Sequence, residues 1–427
     1  MPSKNATWLF SKCKWTEENN LAVDYSAYEY IFNAWDKYGD IYALMLDEVK
    51  ANGIRPWISL RMNDVHYSSA KTAYLRSIFY YEAENNGFMI GSDYGYFASA
   101  FDYSNSEVRD MLLAYIEEVL LRYDVFGLEL DFMREIFCFD YINNPDCAEI
   151  MNDFMRQVAD IVKKAEEKFG HSIKLMVRTS RSIENALTFG FDVKTWAEEG
   201  LIDVIFPSPR WEVTDSDIPV EDWKTLVGED IAVFAGLESR NLNGSITTVE
   251  QVKGYGASFF SRGADGLYYQ NYQYFNNRDV GVRMLTRETM SSGKQSFTVT
   301  YQDIVPEGST GYKPYPFTIE EGVELPLNIG KIRADETVYL TISFNGEEGF
   351  PSVEINGIPS SSVETPGAVT GIINDAGDSV SLSDFNTSCK YYFTGIETDG
   401  ELIIKFSNST GISDYIDLTV EPADSAS

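Results

Sequence analysis

The sequence predicts an α/β protein built as a (β/α)8 TIM-type barrel, followed by a C-terminal all-β sandwich domain. Helical and strand patterns alternate from about Ile41, polar residues follow the strand ends, and helical periodicity disappears after about Ser291. The chain has 427 residues, and single hydrophobic cores stop growing at roughly 250–300 residues. We therefore predict a barrel over residues 1–290 and a sandwich over residues 291–427.

The barrel prediction depends on six strand patterns that helices separate. The strand patterns are RPWISLRMND, VFGLELDFMRE, IKLMVRTS, IDVIFPSPRW, IAVFAGLES and DGLYYQNY. Helices are predicted near Ile41–Ala51, Val108–Tyr123, Cys147–Phe169, VKTWAEEG and Val249–Arg262. No Gly-rich phosphate loop follows any of these strands, which disfavours a doubly wound nucleotide-binding sheet. The first forty residues are too short for two further βα units of about 30 residues each, so we expect the barrel to lack its first strand or first two strands.

The C-terminal part has the pattern of short antiparallel strands. The alternating runs TVYLTISF, PSVEING, KYYFTGI, ELIIKFS and DYIDLTV are punctuated by Gly, Ser, Thr and Pro. Two roles remain open for this sandwich at the level of sequence: it braces the barrel, or it binds sugar.

Composition narrows the function classes. The formal net charge of −32 would repel phosphate backbones and anionic lipid headgroups, so neither nucleic acid nor membrane insertion is expected. Neutral sugars are not penalised by that charge, and the 14% aromatic content suits stacking on sugar rings, although most of these aromatics are expected in the core. With only two histidines and no cofactor motif, we expect neither a metal nor a cofactor. Cys138 and Cys147 leave open one small-loop disulfide.

The strand VFGLELDFMRE carries two carboxylates two residues apart. Because side chains alternate along a strand, Glu129 and Asp131 would both face the barrel interior. Buried carboxylates are costly without partners. They are interpreted either as an ion-paired network with Arg61, Arg134 or Arg178, or as catalytic groups.

A second carboxylate ends the strand IAVFAGLES. Glu238 occupies the last inward position of that strand, on the same predicted rim. Glycoside cleavage typically uses two carboxyl groups, and their separation decides between retention and inversion of configuration. Asp131 with Glu238 is the preferred catalytic pair, and Glu135 is a substitute for either role, with Glu212 and Asp215 weaker.

Further polar and aromatic residues recur at the strand ends and are predicted to bind substrate. Arginine and asparagine suit sugar hydroxyl or carboxylate groups, and a tryptophan suits stacking. His66 is open between a substrate hydrogen bond and a solvated loop position. The full predicted binding set is Arg61, Asn63, Asp64, His66, Glu129, Arg134, Arg178, Arg210, Trp211, Tyr269 and Asn271.

Three segments resemble a known family. VFGLELDFMREIF resembles the fourth-strand motif of glycoside-hydrolase-like TIM barrels, with Asp131 and Arg134 matching its aspartate–arginine pair. GFDVKTWAEEGLIDVIFPSPRW and GADGLYYQNYQYF are similar to segments of family-10-like bacterial glycosyl hydrolases. The resemblance covers about Ile41 to Phe275 and implies an O-glycosyl hydrolase acting on a poly- or oligosaccharide.

The sequence also departs from related patterns. A chitinase-type strand would place its catalytic glutamate where this chain has Met133, and the Asn-Glu pair common after strand four in other clan members is absent. Two other functions therefore stay open: a non-catalytic glycan-binding surface protein, and a polysaccharide lyase acting on uronic acids. By resemblance the protein is expected outside the cytoplasm, extracellular or periplasmic, although the start MPSKNATWLFSKCKW has no apolar stretch typical of a signal peptide.

Overall fold

The structure is a computed structural model, and it divides the chain into two compact units. It describes residues 30, 33–65, 78–144, 147–210, 214–238, 247–270, 286–300, 317–346, 349–367, 387–413 and 415–422. The first unit comprises Met1–Thr179 and Ala186–Ile205, and the second comprises Ser180–Asn185 and Phe206–Ser427. The predicted boundary at residue 291 stays a prediction.

The α/β region alternates helices and strands in the predicted order. Its elements are α1 (Ile41–Ala51), β1 (Trp57–Arg61), α2 (Ile78–Asn86), a 3-10 helix (Ser92–Phe97), α3 (Ser106–Arg122), β2 (Gly127–Asp131), α4 (Cys147–Phe169), β3 (Lys174–Ser180), α5 (Ile183–Thr188), α6 (Val193–Glu198), β4 (Val204–Ser208), β5 (Thr214–Asp215), α7 (Val220–Val227), β6 (Ala232–Glu238), α8 (Val249–Ser261), β7 (Gly266–Gln270) and α9 (Arg287–Met290).

In the first unit, β1, β2 and β3 form parallel pairs. Their register places Arg61 opposite Asp131, and Asp131 opposite Arg178. All five residues of β2 are buried, as expected for a parallel strand covered on both faces. Helix α4 buries apolar side chains three to four positions apart, among them Met151, Met155 and Val158, and it therefore turns one continuous stripe to the core.

Gly127, the first residue of β2, lies directly against the Trp57 ring. A Cβ atom there would lie 2.3 Å from the Trp57 ring, in the register pair Trp57–Gly127. We expect Gly127→Ala to lower the free energy of unfolding by about 1–3 kcal/mol, because overpacking displaces a buried ring. Chemical denaturation with Gly330→Ala as control, where the nearest atom is 3.6 Å away, measures this. Equal stabilities of the two variants would mean that the ring moves aside without strain.

In the second unit, β6 and β7 form a parallel pair, from Phe234 opposite Gly266 to Glu238 opposite Gln270. Helix α8 follows a capping box, in which the Thr248 hydroxyl accepts from the Gln251 amide while the Gln251 side chain accepts from the Thr248 amide. A Cβ at Gly254 would lie 2.1 Å from the Ser296 carbonyl oxygen, so α8 packs directly on the backbone of strand β8 (Gln295–Thr300).

The C-terminal strands form two antiparallel sheets. They are β8 (Gln295–Thr300), β9 (Phe317–Ile319), β10 (Glu324–Asn328), β11 (Thr337–Gly346), β12 (Ser352–Ile355), β13 (Ile358–Pro359), β14 (Ser362–Gly367), β15 (Thr387–Phe393), β16 (Glu401–Ser407), β17 (Gly411–Ser413) and β18 (Ile416–Glu421). One sheet has the order β10-β16-β12-β13, and the other has the path β14-β15-β11-β18-β8-β5. Phe297, Leu340, Ile404 and Leu418 belong to one buried cluster that strands of both sheets share.

These elements confirm an α/β region followed by an antiparallel β domain. All six predicted strands form, at β1, β2, β3, β4, β6 and β7. The described ranges do not contain the eight strands of a closed barrel. The sequence missed β5, a two-residue strand that pairs with β8 and so joins the sandwich sheet.

The alternative of a Cys138–Cys147 disulfide is wrong, because both side chains are buried thiols outside any disulfide. Burial raises the pKa of Cys138 well above its usual range. In the described part of the chain, no helix is long and apolar enough to cross a membrane.

Candidate active site

The carboxylate of Asp131 lies at the carboxyl end of β2 and is held by three donors. Its Oδ1 accepts from the backbone amides of Met133 (2.9 Å) and Arg134 (3.1 Å). The Arg178 guanidinium on β3 donates to both oxygens, at 3.1 and 3.2 Å. Asp131 is 6% exposed and Arg178 2%. The predicted ion-pair alternative therefore forms for Asp131, with Arg178 as the partner.

Glu135 lies four residues further along and is more deeply buried. It has no exposed surface, and its Oε1 accepts from the Tyr96 hydroxyl at 3.2 Å. The Arg134 guanidinium lies 3.7 Å from the same oxygen. A carboxylate without exposed surface does not touch substrate in this conformation, and the catalytic role of Glu135 stays a prediction.

Glu129 occupies the middle of β2. It is 2% exposed and lies in register between Ser59 of β1 and Met176 of β3. The predicted orientation of Glu129 toward the barrel interior stays a prediction. Its assignment to substrate binding stays a prediction.

The polar residues at the end of β1 and just after it form an ion pair at the surface and a buried set of hydrogen bonds. Arg61 and Asp64 form an ion pair at 3.0 Å, with side chains 52% and 28% exposed. The buried Asn63 carboxamide donates to the carbonyls of Phe101 (3.0 Å) and Phe137 (2.8 Å) and accepts from the Phe101 amide (3.0 Å). Asn63 thus fixes two loops to each other, a role that the sequence did not suggest.

The second unit holds the other described candidates. Glu238 ends β6, is 6% exposed, and its carbonyl accepts from the Thr247 hydroxyl at 2.7 Å. Tyr269 lies on β7 in register with Leu237, and it is half-buried, as is Arg210. His66, Trp211 and Asn271, like the weaker substitute Glu212, lie outside the described residues.

Asp215, the remaining weak substitute, belongs to a buried charge cluster of the second unit. The Arg181 Nε donates to its Oδ2, and its Oδ1 accepts from the Asp217 amide at 2.7 Å. The Arg262 guanidinium donates to Asp217 Oδ1 at 2.8 Å. Burial raises the pKa of Asp217 from 3.8 to about 6, Asp215 adds to this, and Arg262 and Arg181 oppose it. This cluster pairs its own charges and is a structural network.

The raised pKa of Asp217 predicts a pH-dependent stability. A carboxyl that binds its proton more tightly when folded stabilises the protein below its ordinary pKa and loses that contribution as pH rises through about 6. Between pH 4 and pH 7 we expect the unaltered chain to lose about 2 kcal/mol relative to Asp217→Asn. Denaturant unfolding at each pH measures this, with the exposed Asp222→Asn as control. Parallel pH profiles for the unaltered chain and Asp217→Asn would refute it.

Aromatic residues beside Glu135 were not singled out from the sequence. Tyr96 follows Gly95, where a φ of +55° interrupts the 3-10 helix with a kink. Tyr96 is 41% exposed. Tyr94 donates to Asp140 at 2.7 Å, and Phe97 packs on Phe137 with ring centroids 4.4 Å apart. In the sequence, the two tyrosines and one phenylalanine within the segment SDYGYF could have indicated this aromatic group.

Comparison with known proteins gives weak similarities. No family model matches the sequence, and a search of curated proteins finds no relative. Similar solved structures include a cell-surface-expressed multi-modular chitinase from Paenibacillus sp. (TM-score 0.37, 9% identity, 88% of this chain, 48% of that chain). A GH36 alpha-galactosidase from Geobacillus stearothermophilus has a TM-score of 0.36 at 12% identity (84% of this chain, 46% of that chain). A family GH18 chitinase from Chromobacterium violaceum has a TM-score of 0.31 at 9% identity (90% of this chain, 77% of that chain).

The chain spans less than half the length of the first two of these proteins.

Proposed function

We propose that the chain is a glycoside hydrolase that cleaves O-glycosidic bonds of a poly- or oligosaccharide, outside the cytoplasm. The observation that carries the proposal is the carboxylate of Asp131, held at the carboxyl end of a parallel strand by two backbone amides and a buried arginine. In α/β barrels this end of the strands is where catalytic groups lie. The strongly acidic composition favours an uncharged substrate over a polyanionic one.

The donors around Asp131 suit one of the two carboxylate roles. Two amides and a guanidinium fix the position of the Asp131 carboxylate at the end of β2, so Asp131 is suited to attack the anomeric carbon or to stabilise positive charge there. We assign the other role, proton donation to the leaving oxygen, to Glu238 at the end of β6. Arg134, Glu129 and the exposed Tyr96 are assigned to substrate orientation and stacking.

One observation favours a second candidate function, glycan binding without catalysis. Asp131 is already engaged by Arg178, and Glu135 has no exposed surface, which is also the pattern of a structural ion-pair network. The lyase alternative would depend on Arg61, Arg134 and Arg178, whose side chains already lie beside three different carboxylates. Arg178 contacts Asp131, Arg134 lies beside Glu135, and Arg61 pairs with Asp64 at the surface.

The test is release of reducing ends from a panel of neutral and acidic polysaccharides by the purified full chain, with heat-denatured protein as control. Release from at least one polysaccharide supports the hydrolase. Retention of the protein on an immobilised polysaccharide that it does not cleave supports the binding function. Products that absorb near 235 nm, typical of unsaturated uronates, would restore the lyase. Neither cleavage nor binding across the panel would reject all three glycan functions.

A further inference from the structure

The second unit contains a cavity of about 390 Å³ that is separate from the strand-end carboxylates of that unit. Helix α8 lines it with Phe260 and Ser261, and the segment before β11 lines it with Lys331, Arg333 and Glu336. Arg287 of α9 completes the wall. The volume is in the lower part of the roughly 300–1,000 Å³ range of small-ligand sites.

Most of the charged side chains that line this cavity are cationic, whereas most charged residues of the whole chain are acidic. Three cationic side chains (Arg287, Lys331 and Arg333) face one carboxylate, Glu336, whereas the whole chain has 66 acidic and 34 basic residues. At physiological ionic strength, exposed charges more than about 8 Å apart are largely screened. Lys331 and Arg333 already have carboxylate partners in Asp399, Asp335 and Glu336, so the attraction of the cavity for an anion depends on Arg287.

The three cationic side chains differ in their partners. Lys331 pairs with Asp399 at 3.0 Å, and Arg333 pairs with Glu336 at 2.8 Å. Arg287 instead lies over the Phe260 ring, 4.8 Å from its centroid, and donates one bond to the Ala264 carbonyl at 3.2 Å. Within the described residues it makes no ion pair. Its guanidinium is thus oriented by an aromatic ring and a carbonyl, with further N–H donors for an anion.

We infer that this cavity binds a carboxylate-bearing sugar residue, such as a hexuronic acid, through Arg287. A planar guanidinium matches a carboxylate with two parallel bonds. The Phe260 ring offers apolar surface for a pyranose face. The hydroxyls of Ser261 and Ser291 donate to the carbonyls of Ser258 and Arg287, so they and the Glu336 carboxylate can accept bonds from sugar hydroxyls. The site would act as a secondary glycan-binding site, and it does not depend on the proposed hydrolase activity.

Isothermal titration of the full chain with trigalacturonate tests the inference. The comparison ligands are its methyl ester, which lacks the charge, and acetate and inorganic phosphate, which lack the sugar. The variants are Arg287→Gln and Arg287→Lys, with Arg55→Gln as matched control, since Arg55 is exposed and lies over the Phe126 ring at 4.9 Å. Thermal unfolding of each variant verifies that it is folded.

We expect Arg287→Gln to weaken trigalacturonate binding by about 10- to 100-fold, the range of a charge-assisted hydrogen bond. Arg287→Lys should weaken it less, and Arg55→Gln should leave it unchanged. Three results would overturn the inference: no binding of trigalacturonate up to about 10 mM, equal binding by Arg287→Gln, or equal binding of the methyl ester. A fourth result, binding of acetate or phosphate as tight as that of trigalacturonate, would reduce the site to a general anion site and reject the sugar. Each readout is binding alone, so its failure leaves the hydrolase proposal untouched.

Discussion

Replacing Arg178 with methionine is expected to lower the free energy of unfolding by about 3–5 kcal/mol, the range for removing one partner of a buried ion pair. Arg178 is 2% exposed, and its guanidinium is the cation that contacts Asp131. Without it, a carboxylate that is 6% exposed would keep only two backbone amides as donors. Denaturant unfolding with a two-state analysis measures the loss.

A double-mutant cycle separates this pair from its surroundings. Asp131→Asn alone leaves the Arg178 charge buried, whereas Asp131→Asn with Arg178→Met removes both charges and keeps a side-chain oxygen for the Met133 and Arg134 amides. The double variant should therefore be more stable than the sum of the single losses implies, with a coupling of about 1–3 kcal/mol. Strict additivity of the single losses would contradict the ion pair. A surface control is Arg61→Met, whose pair with Asp64 is half-exposed and should contribute about 0–1 kcal/mol.

Trp196→Ala is the second large expected effect, with a loss of about 3–5 kcal/mol for a fully buried tryptophan. Trp196 lies on α6, has no exposed surface, and donates from Nε1 to Asn152 Oδ1 of α4 at 2.7 Å. Its ring also contacts Phe191 edge-on, with centroids 6.2 Å apart. The variant removes packing area and a buried hydrogen bond together.

Trp196→Phe distinguishes these two contributions. It keeps an aromatic ring but leaves the buried Asn152 oxygen without its indole donor, so we expect a loss of about 1–3 kcal/mol. Trp196→Phe as destabilising as Trp196→Ala would mean that the hydrogen bond dominates. A negligible loss in both variants would show that α6 does not anchor the first unit.

The sequence predicted the helices and strands that are specified by the spacing of apolar residues within one short segment. The helix from Cys147 to Phe169 forms with the predicted bounds because its apolar residues recur every three to four positions. The six strands form where short runs rich in apolar residues lie between helical segments. Strand β5 was missed because two residues, Thr214 and Asp215, carry no periodicity, and only pairing with β8 makes them a strand.

The candidate site was predicted in part. Glu129 and Asp131 lie on β2, which forms within the predicted strand pattern, but which arginine pairs with Asp131 depends on the register between β2 and β3. Asn63 looked like a substrate ligand because it follows a strand, yet it bonds the backbone of Phe101 and Phe137, residues 38 and 74 positions away. Such distant partners have no local pattern. The bond from Tyr96 to Glu135 was missed for the same reason.

The most direct test of the central claim is kcat of Glu238→Gln on a polysaccharide that the unaltered chain cleaves, measured beside the surface control Glu167→Gln on α4. Loss of a catalytic proton donor predicts a decrease of about 10²- to 10⁴-fold for Glu238→Gln, with unchanged thermal unfolding and no effect of Glu167→Gln. Wild-type turnover by a folded Glu238→Gln variant would contradict the two-carboxylate mechanism.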